Sequence, residues 1–177
     1  MKQLPLASIV WGIFVVLFTF MTVSSFVRKS PTADEPVHLF AGYSYLKWKD
    51  FRANPEHPPL VKILAALPLL ALDIKEPQLS GTDWDRIPQY GPGGIYTANM
   101  AAQMIFLDND ADTLFFYARL PMIAIGIVLG MFVYLWTREL FGAAAAIVSL
   151  LIYSFDPNIL AHSQLVASSG SGNRIIK

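Results

Sequence analysis

LASIVWGIFVVLFTFMTVSSFV, residues 6–27, runs for 22 positions without a charged side chain. At about 1.5 Å per residue, a helix of that length covers a hydrocarbon layer of about 30 Å. A transmembrane helix is therefore expected. Lys2 ahead of it would also suit the basic start of a cleaved signal peptide, but the run exceeds the usual apolar stretch of about 7–15 residues in such peptides. The rest of the chain has the same character: 54% of its 177 residues are apolar, 15% are charged, and the apolar ones come in blocks. That pattern is the mark of an all-α integral membrane protein.

Working outward, Leu114 to Trp136 forms a second uninterrupted run whose one charge, Arg119, lies near its start, where a long side chain can snorkel to the headgroups. Thr137-Arg138-Glu139-Leu140 leaves room only for a tight return. Phe141 to Phe155 then gives a shorter apolar stretch, completed by residues past Asp156-Pro157 and packed on the second span as a hairpin. The small side chains of Ala143 to Ala146 suit a close neighbour. The expected spans are about residues 6–27, 114–136 and 141–160, with a loop of about 28–113 between the first two.

A connection that long should fold and carry function. In it, Asp34-Glu35-Pro36 predicts a helix from about Pro36 to Phe51 with Glu35 at the N-cap, against the positive end of the helix dipole. Aromatic and aliphatic residues mixed with Lys47, Lys49, Asp50 and Arg52 predict that this helix lies in the membrane interface. Leu60 to Ile74, apolar apart from Lys62 and broken by Pro68, predicts a second interfacial or re-entrant segment. Gln78 to Asp112, rich in Gly, Pro, Asp and Tyr, reads as a loop with little secondary structure. Tyr90-Gly91-Pro92-Gly93-Gly94 lacks the order of a phosphate-binding loop.

The chemistry is expected in this loop. Asp34 and Glu35 can serve as a general base at a membrane surface, or simply cap a helix. His38, one turn on, can orient one of them or sit exposed in the interface. Glu56 and His57 within Pro55-Glu56-His57-Pro58-Pro59 can contact substrate, or ride on a rigid turn. Lys62 and Arg119 can bind a phosphate, or snorkel. Asp-Glu-x-x-His lacks the first imidazole of the zinc helix pattern, and Pro36 sits inside it, so a zincin is excluded. With 13 basic and 13 acidic residues the net charge is zero, which gives no reason to expect nucleic acid as a partner, and the absence of cysteine removes thiol chemistry. Arg28 and Lys29 after the first run lean weakly towards a cytoplasmic loop.

Taken in order, Asp34-Glu35-x-x-His38, Pro55-Glu56-His57-Pro58-Pro59-Leu60 with Lys62, Leu67-Pro68-Leu69, Asp110-Ala111-Asp112, Ala118-Arg119-Leu120-Pro121, Arg138-Glu139-Leu140-Phe141-Gly142, Phe155-Asp156-Pro157-Asn158 and Leu160-Ala161-His162-Ser163 resemble the N-terminal part of a known family. It is the dolichyl-phosphate-mannose protein mannosyltransferase family, which includes the bacterial aminoarabinose transferase-like enzymes and has the GT-C fold. The resemblance covers residues 1–166 and implies a GT-C-like N-terminal part with about three transmembrane helices and interfacial helices in the first loop. It implies that the long loop is extracytoplasmic, against the charge-based lean, in a multi-pass protein of the bacterial inner (plasma) membrane.

The activity implied is transfer of a sugar from a polyprenyl-phosphate donor to a protein or lipid acceptor, with inversion. Asp34 matches the family's catalytic acid position and Glu35 its neighbour, and membrane lipids would be partners alongside donor and acceptor. No cofactor is required by such a reaction, although a divalent metal near Asp34, Glu35 and His38 is compatible with it. Beyond Val166 the family pattern would continue with another acid and further spans, whereas residues 167–177 form an atypical Ser/Gly-rich tail. The alternative expectation is thus a truncated, catalytically inactive membrane protein with only the first lobe of the fold. Little or no transferase activity is expected of the chain by itself.

Overall fold

The computed structural model describes residues 6–27, 29–89, 91 and 93–166. The tail at 167–177 lies outside them. Among the described residues every regular element is helical, and the chain divides into two compact units. One, the helical unit, comprises residues up to Ser30 together with Ile123–Gln164. The other, the loop unit, comprises Pro31–Met122 together with the chain from Leu165 onward.

The helical unit contains α1 (Leu6–Phe26), most of α5 (Ala111–Phe155) and α6 (Pro157–His162). The 45 residues of α5 are not one rod, because Gly142 leaves the helix with φ 85° and ψ 177°, a left-handed backbone in which a side chain would be strained. The two arms fold back on each other there. Tyr153 Oη donates to the Gly126 carbonyl at 2.7 Å, a bond that residues 27 apart can make only across a return. The return expected at residues 137–140 thus falls at Gly142, the first residue after them whose backbone readily takes the positive φ of the reversal. Phe14 and Phe18 of α1 lie over Gly126 and Gly130, whose missing side chains leave room for the two rings. Tyr134, Ala146, Leu150 and Tyr153 complete this small core. Among the described residues two helices, α1 and α5, are long and apolar enough to cross a membrane; a separate third span over 141–160 is not among them, because 143–155 is the short second arm of α5.

The loop unit is built around α2 (Glu35–Lys47), which packs on α3 (Pro59–Ala66) and on α4 (Gly94–Ala102). A 3-10 turn over Leu67–Ala71 continues α3, another lies at Asp83–Arg86, and a π-helical turn over Gln103–Leu107 follows α4. Residues 78–112 are therefore more ordered than their polar composition suggests.

The expectation for α2 also changes. Its residues His38 to Tyr45 are all buried, so the helix is the core of the unit and does not lie in a membrane interface. The reason is in the register: Lys47 is the last helical residue and Lys49, Asp50 and Arg52 come after the helix ends, so their charges never make a polar face. A helix without a continuous polar face is covered on every side. Gly42 marks the tightest approach, where a Cβ would overlap the Lys62 carbonyl oxygen of α3.

Candidate functional site

Glu35 is fully buried, and its carboxylate receives four hydrogen bonds. Oε1 accepts from Arg119 Nε at 3.2 Å and from the Val166 amide at 3.1 Å, while Oε2 accepts from Arg119 Nη2 at 2.8 Å and from the Thr32 amide at 2.9 Å. The forked Arg119 contact suits guanidinium geometry, and Arg119 is itself 3% exposed. The two oxygens thus have their acceptor capacity taken up. Glu35 ties the start of α2 to the first turns of α5 and to the chain at Val166, a positioning role that leaves it no lone pair for an incoming hydroxyl.

Locally this follows from Thr32-Ala33-Asp34-Glu35. The Glu35 amide donates to the Thr32 carbonyl at 3.2 Å, and the Glu35 side chain reaches back to the Thr32 amide, the carboxylate half of a capping box. Helix α2 opens one residue earlier than expected, with Glu35 as its first residue and Asp34 as N-cap. Pro36 allows this because a first-turn residue needs no amide hydrogen. The Asp34 side chain makes no capping bond, so neither acid does the ordinary N-cap work. Half-buried beside the amino end of α2, Asp34 keeps its oxygens available for an external partner.

Next to the acids, His38 and His57 meet edge to face with ring centroids 5.4 Å apart. His38 is 4% exposed, and its Nδ1 has no hydrogen-bond partner. Burial, with Lys62 and His57 nearby, lowers its pKa to about 4 against the pull of Asp34 and Glu35. Lys62 points inward, donating to the carbonyls of Asn54 at 2.6 Å and His57 at 2.9 Å and lying 3.4 Å from Tyr45 Oη. Burial lowers it to about 8, partly opposed by Glu56.

Tyr45 Oη also donates to the Asn54 carbonyl at 2.7 Å, and Thr97 Oγ1 to the Ala53 carbonyl at 2.8 Å. The proline-rich turn cannot satisfy these carbonyls with its own amides, so side chains do it. The turn is thereby fixed, with Glu56 exposed and His57 half-buried at its outer edge.

Asp34, Glu35, His38, His57, Lys62 and Arg119 therefore all belong to one unit, and Asp34, Glu35, His57 and Lys62 each act electrostatically on His38. Two expectations change. Lys62 neither snorkels nor offers a free ammonium to a phosphate, because its donors are spent on the turn. Arg119 does not snorkel either: it is buried against Glu35. Thr32, Tyr45 and Val166 were not anticipated; the spacing Thr-x-x-Glu carried a signal for Thr32, but nothing local marks Tyr45 or Val166. Among the described residues no group of three His, Asp or Glu side chains is placed to hold a metal ion.

The sign of the His38 shift gives a pH dependence. Between about pH 4 and 6.5 the unfolded chain binds a proton that the folded chain refuses, so stability rises with pH across this window. Acidification from pH 6.5 to 4 should remove up to about 3 kcal/mol, and His38→Gln should flatten the slope. Melting of both proteins as a function of pH reads this directly; parallel curves would deny His38 the role.

No protein-family model, no curated protein and no solved structure matches the chain.

Proposed function

We propose that the chain is the N-terminal membrane part of a GT-C-type glycosyltransferase that takes a sugar from a polyprenyl-phosphate donor. The observation that carries the reading is the division of labour between the two acids: Glu35 is saturated and fixed, while Asp34 beside it is half-buried and unbonded. A base needs a held scaffold and a free lone pair, and the pair supplies one of each. The loop unit is joined at both ends to helices of membrane-crossing length, which is where a lipid-linked donor would be met. In this reading α1 and α5 from Ile123 onward, completed by α6, lie in the bilayer, and the long first loop is extracytoplasmic.

Asp34 accepts the proton of an acceptor hydroxyl as that oxygen bonds to the anomeric carbon. The bond from that carbon to the phosphate breaks on the opposite face, and polyprenyl phosphate leaves with the electron pair. A positioned base contributes about 10²–10⁴-fold to such a step. Any sugar transfer that the purified chain shows from a polyprenyl-phosphate sugar in vesicles should therefore fall by about that factor in Asp34→Asn. Its stability should stay within about 0.5 kcal/mol, because the Asp34 side chain holds no cap.

A non-catalytic reading is favoured by one observation, the commitment of Lys62 to the 53–58 turn, which withholds that cation from a donor phosphate. The same experiment separates the two. Transfer that depends on Asp34 supports the enzyme; absence of both transfer and donor binding in wild type and variant supports the non-catalytic lobe.

A further inference from the structure

We propose that the outer side of α1, from Gly12 to Val23, packs against the same side of α1 in a second copy of this chain, giving a parallel pair of helices in the bilayer. The proposal rests only on the membrane part of the preceding reading, not on its chemistry. The inner side of α1 is already covered: Phe14, Phe18, Thr22 and Phe26 recur every four residues and are buried. On the outer side, Val15, Val16, Thr19, Phe20, Val23 and Ser24 line a groove between two rows of side chains spaced by four. Rows of this kind accept the ridge of a second helix.

Apolarity alone would leave this face to lipid, so two other residues decide its occupant. Gly12 stands exposed inside α1, where glycine weakens a helix relative to alanine. A Cβ there would meet nothing within 4 Å, in contrast to Gly126 and Gly130, whose missing side chains make room for Phe18 and Phe14. Packing within the chain thus gives no reason for Gly12, whereas the close approach of a neighbouring helix does. Thr19 is the second. Thr22 and Ser24 turn their hydroxyls back to the Phe18 and Met21 carbonyls, but among the described residues the Thr19 hydroxyl has no partner. Acyl chains offer it none, so in a bilayer it is satisfied by another polypeptide.

Gly12, Val16, Thr19 and Val23 follow one another at spacings of four, three and four, which keeps them on one seam of a helix pair. A second copy is the occupant because the face is complementary to itself. A hydroxyl both donates and accepts, so two Thr19 side chains facing each other across a two-fold axis hydrogen-bond together. Residues 6–27 carry no charge that the pairing would set against its like. Copies inserted the same way run parallel, which brings each seam residue opposite its own counterpart.

The chain has no cysteine, so a single introduced thiol can be labelled cleanly. Donor and acceptor dyes on Ser80→Cys, in an exposed loop, report association of the full chain in phosphatidylcholine vesicles by energy transfer as lipid is added. Gly12→Leu should weaken association by at least about tenfold and Thr19→Val by about three- to tenfold, while Thr19→Ser stays within about twofold. Val128→Leu, on the exposed side of α5, should leave it unchanged. The helical circular dichroism of the chain should persist in all four, since no contact inside it depends on the Gly12 or Thr19 side chain. Oxidation should join unlabelled Val16→Cys or Val23→Cys chains into covalent dimers, but not Leu17→Cys, which is at the same depth and turned towards the second arm of α5.

A chain that resists alkaline extraction from the vesicles yet shows no energy transfer overturns the proposal and leaves the membrane reading intact. Extraction of the chain at alkaline pH removes both. Transfer that ignores Gly12→Leu and Thr19→Val, or disulfides at position 17 in place of 16 and 23, would mean that copies meet through another face, and this also overturns the proposal.

Discussion

Arg119→Ala is expected to destabilise the loop unit by about 3–5 kcal/mol, the largest effect of any single truncation in the site. The cost does not come from losing two hydrogen bonds alone. It arises because Glu35, fully buried, is left as a carboxylate whose remaining partners are the Thr32 and Val166 amides, with no counter-charge in contact. A buried ion pair is poor evidence of net stabilisation, since taking both charges out of water offsets most of their attraction. Breaking one side is nevertheless severe. The double variant Glu35→Met with Arg119→Met should therefore recover part of the loss, short of full recovery because the two amides lose their acceptor. Chemical denaturation of wild type, Glu35→Met, Arg119→Met and the double variant gives the coupling energy. A single Arg119→Ala change within about 0.5 kcal/mol of wild type would show that water reaches the pair.

Substitution of Gly42 should come next in size. A Cβ there overlaps the Lys62 carbonyl and comes to 3.0 Å from Ala66 Cβ. A backbone oxygen held in a helix cannot rotate away, so α3 itself must move, and with it the ammonium that holds Asn54 and His57. Gly42→Ala gains up to about 1 kcal/mol of helix propensity and loses about 1–3 kcal/mol to overpacking, a small net loss. Gly42→Leu has no such compensation and should cost about 3 kcal/mol or more. Melting temperature should fall and protease sensitivity at the Pro55–Pro59 turn should rise together, since the turn depends on the position of Lys62. Adding Ala66→Gly to Gly42→Ala relieves only the side-chain contact, so incomplete rescue is expected. Complete rescue would mean that the carbonyl is not the obstacle.

These two positions also show how far the sequence could be read. Helical character, the two long apolar helices and the residues gathered near α2 were legible, because uncharged runs and helix-start chemistry are local properties. Glu35 was visible as an acid of interest, but its saturation was not, since three of its four donors come from Arg119 and Val166, distant in the chain. Lys62 misled for a similar reason: a lysine in an apolar run suggests snorkelling unless carbonyls lacking their own partners wait in a proline turn nearby. The interfacial reading of α2 failed on register, because a shift of the helix end by four residues moves Lys49, Asp50 and Arg52 off the helix. The return in α5 was placed too early because charge and brevity mark a turn more weakly than the backbone freedom of one glycine.

Glu35 accepts a hydrogen bond from Val166, a residue 131 positions later, and both belong to the loop unit. Everything between Ile123 and Gln164 is thus an excursion that departs from one body and comes back to it. Any such excursion meets an elementary topological rule: it can pass through a sheet an even number of times and no other. In the proposed reading the sharp reversal at Gly142 is what lets this excursion return to the side from which it left.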